Sequence, residues 1–236
     1  MGWKKIKQSK RLTAGTPEST NVRDYKYFTY LKRFYESESV AEYFRDFYEL
    51  LVNITNALVL DAGCGIGYAS RRLINSENEV LSLEINLHTL RYGIDNNCVQ
   101  NPLLGSVYNL PVKTDSADVV LFLDVIEHLD KPVEALGEIR RVLRAKGRLF
   151  LITPNGIFSQ MLGFEPSDST HVHECTWSEL RSLLERSGFG VSSAVASGLP
   201  LVNRLNPKFS RKLAKAIGRL ALPIACPSFW VIAERL

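Results

Sequence analysis

The residues best suited to chemistry fall in two clusters, Asp61–Gly67 and Asp124–His128. The first reads Asp61-Ala62-Gly63-Cys64-Gly65-Ile66-Gly67 and completes the apolar run ALVLD (57–61). Glycine permits a tight turn and a close approach of backbone to ligand. The spacing is GxGxG, not the GxGxxG of nicotinamide and flavin sites. An acid two residues before the first glycine disfavours a pyrophosphate and suits an ammonium or an ordered water. Glu84 closes the next apolar run, EVLSLE (79–84), 23 residues after Asp61. A carboxylate at that place can accept both hydroxyls of a ribose. The second cluster, DVIEHL (124–129), offers Asp124, Glu127 and His128. His128 is the best single candidate for a general base, because an imidazole titrates near neutrality. The plainer reading of the Glu-His pair is that it shapes a loop or caps the following helix.

Alternating strand and helix patterns must position these groups. Short strands are expected at 57–61, 79–84, near Leu103–Ser106, at 118–124 (DVVLFLD) and at 148–154 (RLFLITP). Two last strands are read in FGVSSAVAS and FWVIAERL. DVVLFLD is nearly all apolar, as a strand buried on both faces should be. Helices are read in YASRRLINS, INLHTLRYGIDNN, KPVEALGEIRRVLRAKG and TWSELRSLLERSGF. Gly147 is the expected C-cap of the third of these. Thr176 with Glu179 forms a capping-box pattern at the start of the fourth. Repeated β-α-β units predict a parallel sheet with helices on both faces. Ligands of such sheets bind outside the carboxyl ends of the strands. Asp61, Glu84, Ser106 and Asp124 all fall at or just past strand ends, so they should meet on one edge.

With these pieces in order, the chain resembles the class I S-adenosylmethionine-dependent methyltransferases. The motifs are VLDAGCGIG, the Glu84 that ends the second strand, GSVYNLPV, DVVLFLDVIEHL and KGRLFLITPN. The resemblance is to the small-molecule subgroup that includes the ubiquinone-biosynthesis enzymes. It covers about residues 57–198 and the last strand. It implies an α/β fold: a Rossmann-like, seven-stranded, mostly parallel sheet of order 3-2-1-4-5-7-6, helices on both faces, the last strand antiparallel. It implies S-adenosylmethionine as cofactor. Gly63 and Gly65, with Cys64 between them, would line its methionine part, and Asp61 would support its ammonium. Glu84 would hold the ribose, with Ile85 against the adenine. Ser106 stands where the family usually has Asp, and would accept from the adenine amine more weakly. Val107 would offer its backbone N–H, and Leu123 its carbonyl to the ammonium. Methyl transfer from a sulfonium is an in-line displacement, so alignment is the main task. Asp124, Glu127 and His128 lie beside the expected methyl position and are the candidate catalytic groups.

Composition and charge bound the rest. The chain has 236 residues, 45% hydrophobic and 23% charged, which excludes global disorder. No apolar run reaches the roughly 20 residues of a membrane span, and the N-terminus lacks the apolar stretch of a secretory signal, so the expected compartment is the cytoplasm. The four cysteines form no CxxC pair and read as reduced thiols. Residues 1–33 carry nine Lys/Arg against two acids, and 187–233 carry six Lys/Arg and no acid. Two segments are expected: a basic N-terminal arm and helical cap over 1–56, and the methyltransferase domain over 57–236. A basic amphipathic helical insert is read at about 199–227. Phe209, Leu213, Ala216, Ile217 and Leu220 share one face of that helix; Lys208, Arg211, Lys212, Lys215 and Arg219 share the other. Such a helix suits either a lid or an interfacial contact with an anionic membrane. The expected acceptor is a small or lipid-like molecule. Nucleic acid is disfavoured, because aromatics are not interleaved with the basic run and no separate RNA-binding module is present.

Two other functions fit the same residues. One is an RNA methyltransferase with a divalent metal. The order DVIEHL, TPN, HVHECTW resembles that of the metal-dependent 3′-end small-RNA 2′-O-methyltransferases. That would imply Asp124, Glu127, His128 and His171 as ligands, with Asp where that family has Glu at the first acid. No metal is assigned on that ground. The other is a non-catalytic protein that keeps the fold, which the intact Asp61, Gly63, Gly65 and Glu84 argue against.

Overall fold

Strands of this protein form where apolar residues alternate toward two buried faces. The computed structural model describes residues 28–29, 32, 47–49, 51, 53–74, 77–161, 170–197 and 228–236. The elements are β1 (Leu58–Ala62), α1 (Ser70–Leu73), β2 (Glu79–Glu84), α2 (Leu87–Asp95), β3 (Pro102–Leu104) and β4 (Ala117–Leu123). A 3₁₀ turn over Ile126–His128 follows, then α3 (Pro132–Val142), β5 (Leu143–Pro154), α4 (Gly156–Met161), α5 (Trp177–Arg186), β6 (Phe189–Ser197) and β7 (Ser228–Arg235). The basic arm and the 199–227 insert lie outside the described residues, as does most of the expected cap.

One seven-stranded sheet has the order β3-β2-β1-β4-β5-β7-β6. The strands from β3 to β5 pair in parallel, and β7 runs antiparallel to both β5 and β6. The order and the antiparallel last strand are those the resemblance implies. Each central strand feeds two cores by alternation. Val120, Phe122, Leu149, Leu151, Val231 and Ala233 face the α3/α5 side. Val119, Leu121, Phe150, Ile152 and Trp230 face the side closed by Phe47, Tyr48 and Leu51. Burying both faces of a parallel sheet is the hydrophobic effect acting on helices supplied by the crossovers.

The local rules hold at several ends. Asn86 caps α2 through a bond from the Thr89 N–H at 3.1 Å. The capping box of α5 forms as read: the Glu179 N–H donates to Thr176 Oγ1, and the Thr176 N–H donates to Glu179 Oε2. Pro132 opens α3 in its first turn, where its missing N–H is harmless.

Three expectations need correction. Gly147 does not cap α3. The helix stops at Val142, and Leu143 turns extended to pair with Ala117 and bury fully. Core burial of Leu143 overrides the helical pattern that runs on to Gly147, and Lys146 (φ +61°) takes the left-handed turn. Among the described residues of YASRRLINS the helix is Ser70–Leu73, because the glycine turn extends through Ala69. Asp124 is not the last residue of β4 but lies beyond it with φ +52°, while its N–H still donates to the Ile152 carbonyl at 3.0 Å.

Candidate active site

The glycine loop is held from below by the strand beside it. The N–H groups of Gly63 and Cys64 both donate to the Leu83 carbonyl, at 2.8 and 2.9 Å. Gly63 has φ +87°, and a Cβ there would stand 2.5 Å from Val125 Cγ2. Only glycine fits both constraints. Gly67 has φ +83°, with the Cys98 carbonyl 2.5 Å from where a Cβ would be.

Glu84 ties loop to strand. Its Oε2 accepts from the Gly65 N–H at 2.9 Å and its Oε1 from the Asn86 N–H at 2.8 Å. A carboxylate has about four acceptor sites, so each oxygen keeps capacity for another donor. Asp61 accepts from Ser70 Oγ at 2.6 Å, and that hydroxyl lies 3.0 Å from Ser82 Oγ. Asp61 and Glu84 are 2% and 5% exposed, and neither forms an ion pair among the described residues. Burial raises the pKa of both, Asp61 to about 6, with Glu84 adding repulsion on Asp61. Burial and the same two acids also push the Cys64 thiol up.

The remaining expected cofactor residues border this edge. The Gly105 N–H donates to the Glu84 carbonyl at 3.0 Å, which brings the β3 end beside it. The Ser106 hydroxyl accepts from the Tyr108 N–H at 3.3 Å, so it also shapes its own turn. Val107 is buried, Leu123 is half-buried, and Ile85 is 72% exposed beside Glu84.

Past β4 the second cluster is assembled from distant segments. The Glu127 carbonyl accepts from the Val172 and His173 N–H groups at 2.8 and 3.2 Å, which staples loop 170–175 to the 3₁₀ turn. Gly156 permits this, since a Cβ there would collide with the Glu174 carbonyl. Glu127 is 1% exposed and accepts from Thr153 Oγ1 at 3.1 Å. His128 Nδ1 lies 3.2 Å from the Thr170 carbonyl and 3.1 Å from its hydroxyl. His171 Nδ1 lies 2.6 Å from Glu174 Oε1. The two imidazoles stand edge to face, centroids 4.7 Å apart. Burial lifts Glu127 well above the usual carboxylate range and Asp124 to about 6, with His171 drawing Asp124 partly back. Among the described residues, Glu127, His128 and His171 are the one group whose side chains could share a metal ion.

The structure therefore brings Asp61, Gly63, Cys64, Gly65 and Glu84 together, and Asp124, Glu127 and His128 past the next strand. Sequence reading missed Thr153, Thr170 and Glu174, which orient the second cluster. It also missed Tyr48, buried beside Tyr68 (centroids 5.4 Å) with the Arg72 guanidinium 4.0 Å from its ring. Burial is the first cause that raises the Tyr48 phenol, and the charges of Asp124 and Asp61 reach it too. His173 is exposed and faces Glu179 instead of the cluster.

A methyltransferase-domain family model matches residues 60–151, from β1 to β5. That stretch of the chain is similar to a methyltransferase domain. A probable S-adenosylmethionine-dependent methyltransferase of Mycolicibacterium smegmatis is 32% identical over 137 residues, 58% of this chain and 53% of that protein. A ubiquinone biosynthesis O-methyltransferase of Xanthomonas oryzae is 26% identical over 115 residues, 47% of this chain and 48% of its own. The chain spans about half the length of the curated relatives it matches. A solved S-adenosylmethionine-dependent methyltransferase from Archaeoglobus fulgidus superposes with TM-score 0.67 at 20% identity, over 89% of this chain and 99% of that one. That likeness extends the methyltransferase fold beyond the matched segment. The domain's two halves thus share one sheet edge: a glycine loop with buried carboxylates, and an acid–histidine cluster.

Proposed function

We propose that the protein transfers a methyl group from S-adenosylmethionine to a small-molecule or lipid-like acceptor. The observation that carries this reading is the pair of buried carboxylates, Asp61 and Glu84, around the Gly63–Gly67 loop. An anionic pyrophosphate fits poorly there, because it adds negative charge to two desolvated acids. A ligand that brings an ammonium and a ribose diol supplies the cation and donors these carboxylates lack. S-adenosylmethionine supplies an electrophilic methyl group on its sulfonium.

The chain's own residues then have these parts. Asp61 neutralises the ammonium, and the Leu123 carbonyl adds an acceptor. Gly63, Cys64 and Gly65 give the methionine moiety a floor without side-chain obstruction. Glu84 accepts the ribose hydroxyls with its spare lone pairs. Ile85, Ser106 and Val107 border the adenine. Asp124, Glu127 and His128 bound the place of the acceptor and orient its nucleophile. The lipid-like side of the reading is supported by the basic amphipathic pattern at 199–227 and by the relative named for ubiquinone biosynthesis. A peripheral contact with an anionic membrane belongs to the same proposal. No helix of the described residues is long and apolar enough to cross a membrane.

The test is calorimetric titration with S-adenosylmethionine and with S-adenosylhomocysteine. Micromolar binding that is lost in Glu84→Ala is expected, and justifies an acceptor screen that starts with quinol-like and lipid substrates. A wild-type protein that binds neither compound overturns the proposal and leaves a non-catalytic protein with this fold.

A further inference from the structure

We infer that Glu127, His128 and His171 form a binding site for one divalent transition-metal ion beside the carboxyl end of β4. The inference uses only these side chains and their neighbours, and stands whether or not methyl transfer is the reaction.

Three observations carry it. The first is the donor set. One ligand-type atom from each of the three lies within 4.8 Å of the other two. Two ligands of one ion at about 2.1 Å stand up to about 4.2 Å apart, so small side-chain adjustments close the set. Two imidazoles and a carboxylate suit Mn, Fe, Co or Zn better than Mg or Ca.

The second is the tautomer of each imidazole. The Glu174 carboxylate only accepts, so His171 carries its proton on Nδ1, and His128 takes the same tautomer when its Nδ1 donates to the Thr170 carbonyl in preference to accepting from the Thr170 hydroxyl. Each Nε2 then carries the lone pair a metal needs. A metal-bound histidine characteristically donates its other ring N–H to a carboxylate or carbonyl in this way. Glu174 and His171 are 6% and 8% exposed at the side chain, so their contact is fixed inside the protein.

The third is Glu127. Its side chain is 1% exposed; Thr153 serves Oε2, and Oε1 has no hydrogen-bond partner among the described residues. A buried carboxylate oxygen with no donor is costly, and a cation removes that cost. The stapling of loop 170–175 to the Glu127 carbonyl brings His171 within reach.

Three protein ligands leave at least one coordination position open. Structural zinc sites are closed by four; open sites take water or substrate. Glu174 is a positioning residue: it acts on the ion only through His171.

The test uses the full chain stripped with a chelator and titrated with Co(II), followed by its visible absorption, then with Mn(II) and Zn(II) in competition. One Co(II) per chain with a d–d spectrum is expected. Glu127→Gln and His171→Ala should abolish that spectrum. Glu174→Gln should weaken binding by about 10–100-fold while circular dichroism stays unchanged. Stripped wild type that takes up none of the three ions at micromolar concentration overturns the inference. So does a Co(II) spectrum that survives in His171→Ala, or in Glu174→Gln with unchanged affinity if the first variant does not fold. Titrating the same stripped protein with S-adenosylhomocysteine separates the two proposals: nucleoside binding by a chain that takes up no ion sinks only this one, and ion uptake by a chain that binds no nucleoside sinks only the proposed function.

Discussion

The two halves of the sheet edge solve one problem by different means. At β1 and β2 the loop is set by backbone geometry, with glycines at positive φ and amide groups gripped by the Leu83 carbonyl and the Glu84 carboxylate. Past β4 the site is side chains: Glu127, His128, Thr153, Thr170, His171 and Glu174, brought from segments more than 40 residues apart in places. A backbone site tolerates almost no change at its turns, since the constraint is steric. A side-chain site tolerates single changes in shape and fails through lost partners.

The comparison can be broken most sharply at Gly63. Gly63→Ala meets both a left-handed φ and Val125, so a stability loss of about 2–4 kcal/mol is expected in urea unfolding, with cosubstrate binding lost. Adding Val125→Ala should recover the steric part alone. Full stability in the single variant would show that the loop relaxes and that the first half is not sterically fixed.

Asp61 gives the next effect. Its folded pKa of about 6 lies above the ordinary 3.8, so the folded chain holds more protons between those values. Stability contributed by this group is therefore greatest below about pH 4, falls as pH rises to about 6, and stays low above that. The full drop is about 3 kcal/mol at most, at 1.36 kcal/mol per unit. Asp61→Asn should flatten that part of the stability-against-pH curve relative to wild type. A cationic ligand favours the ionised form, so affinity for S-adenosylmethionine should rise with pH through 6. Equal slopes in the variant and wild type would remove Asp61 as their source. Glu84 and Cys64 face the same place, so both proteins should be measured over the same range.

Glu84→Gln keeps the shape but sets an amide group against the Gly65 or Asn86 N–H. A loss of about 1.5–3 kcal/mol in cosubstrate binding is expected by calorimetry. The smallest effect belongs to the other half. Thr176→Ala removes one bond of the α5 capping box, next to the loop that carries His171. It should cost about 1 kcal/mol in thermal or urea unfolding and leave nucleoside affinity unchanged. A change in that affinity would show the two halves to be coupled.

How much of this is legible in the sequence follows from the same contrast. The glycine loop, β2 with its terminal Glu84, and the capping box are each encoded within a few consecutive residues. Their spacing states their geometry. The start of β5 is not legible, because Leu143 continues the helical stripe and only its pairing with Ala117 decides otherwise. Helix α4 is too short to show a period. Thr170 and Glu174 carry no local signal: their importance arises when the chain returns beside Glu127. The left-handed Asp124 is invisible as well, since nothing in its neighbours asks for a positive φ.

The place of β7 has a consequence for synthesis. Residues 228–235 lie between β5 and β6, though both of those are made earlier. Until that segment leaves the ribosome, β5 has an open edge and β6 has no neighbour to join. The nascent chain can assemble the parallel half, with its glycine loop, and must hold the rest waiting for its missing middle.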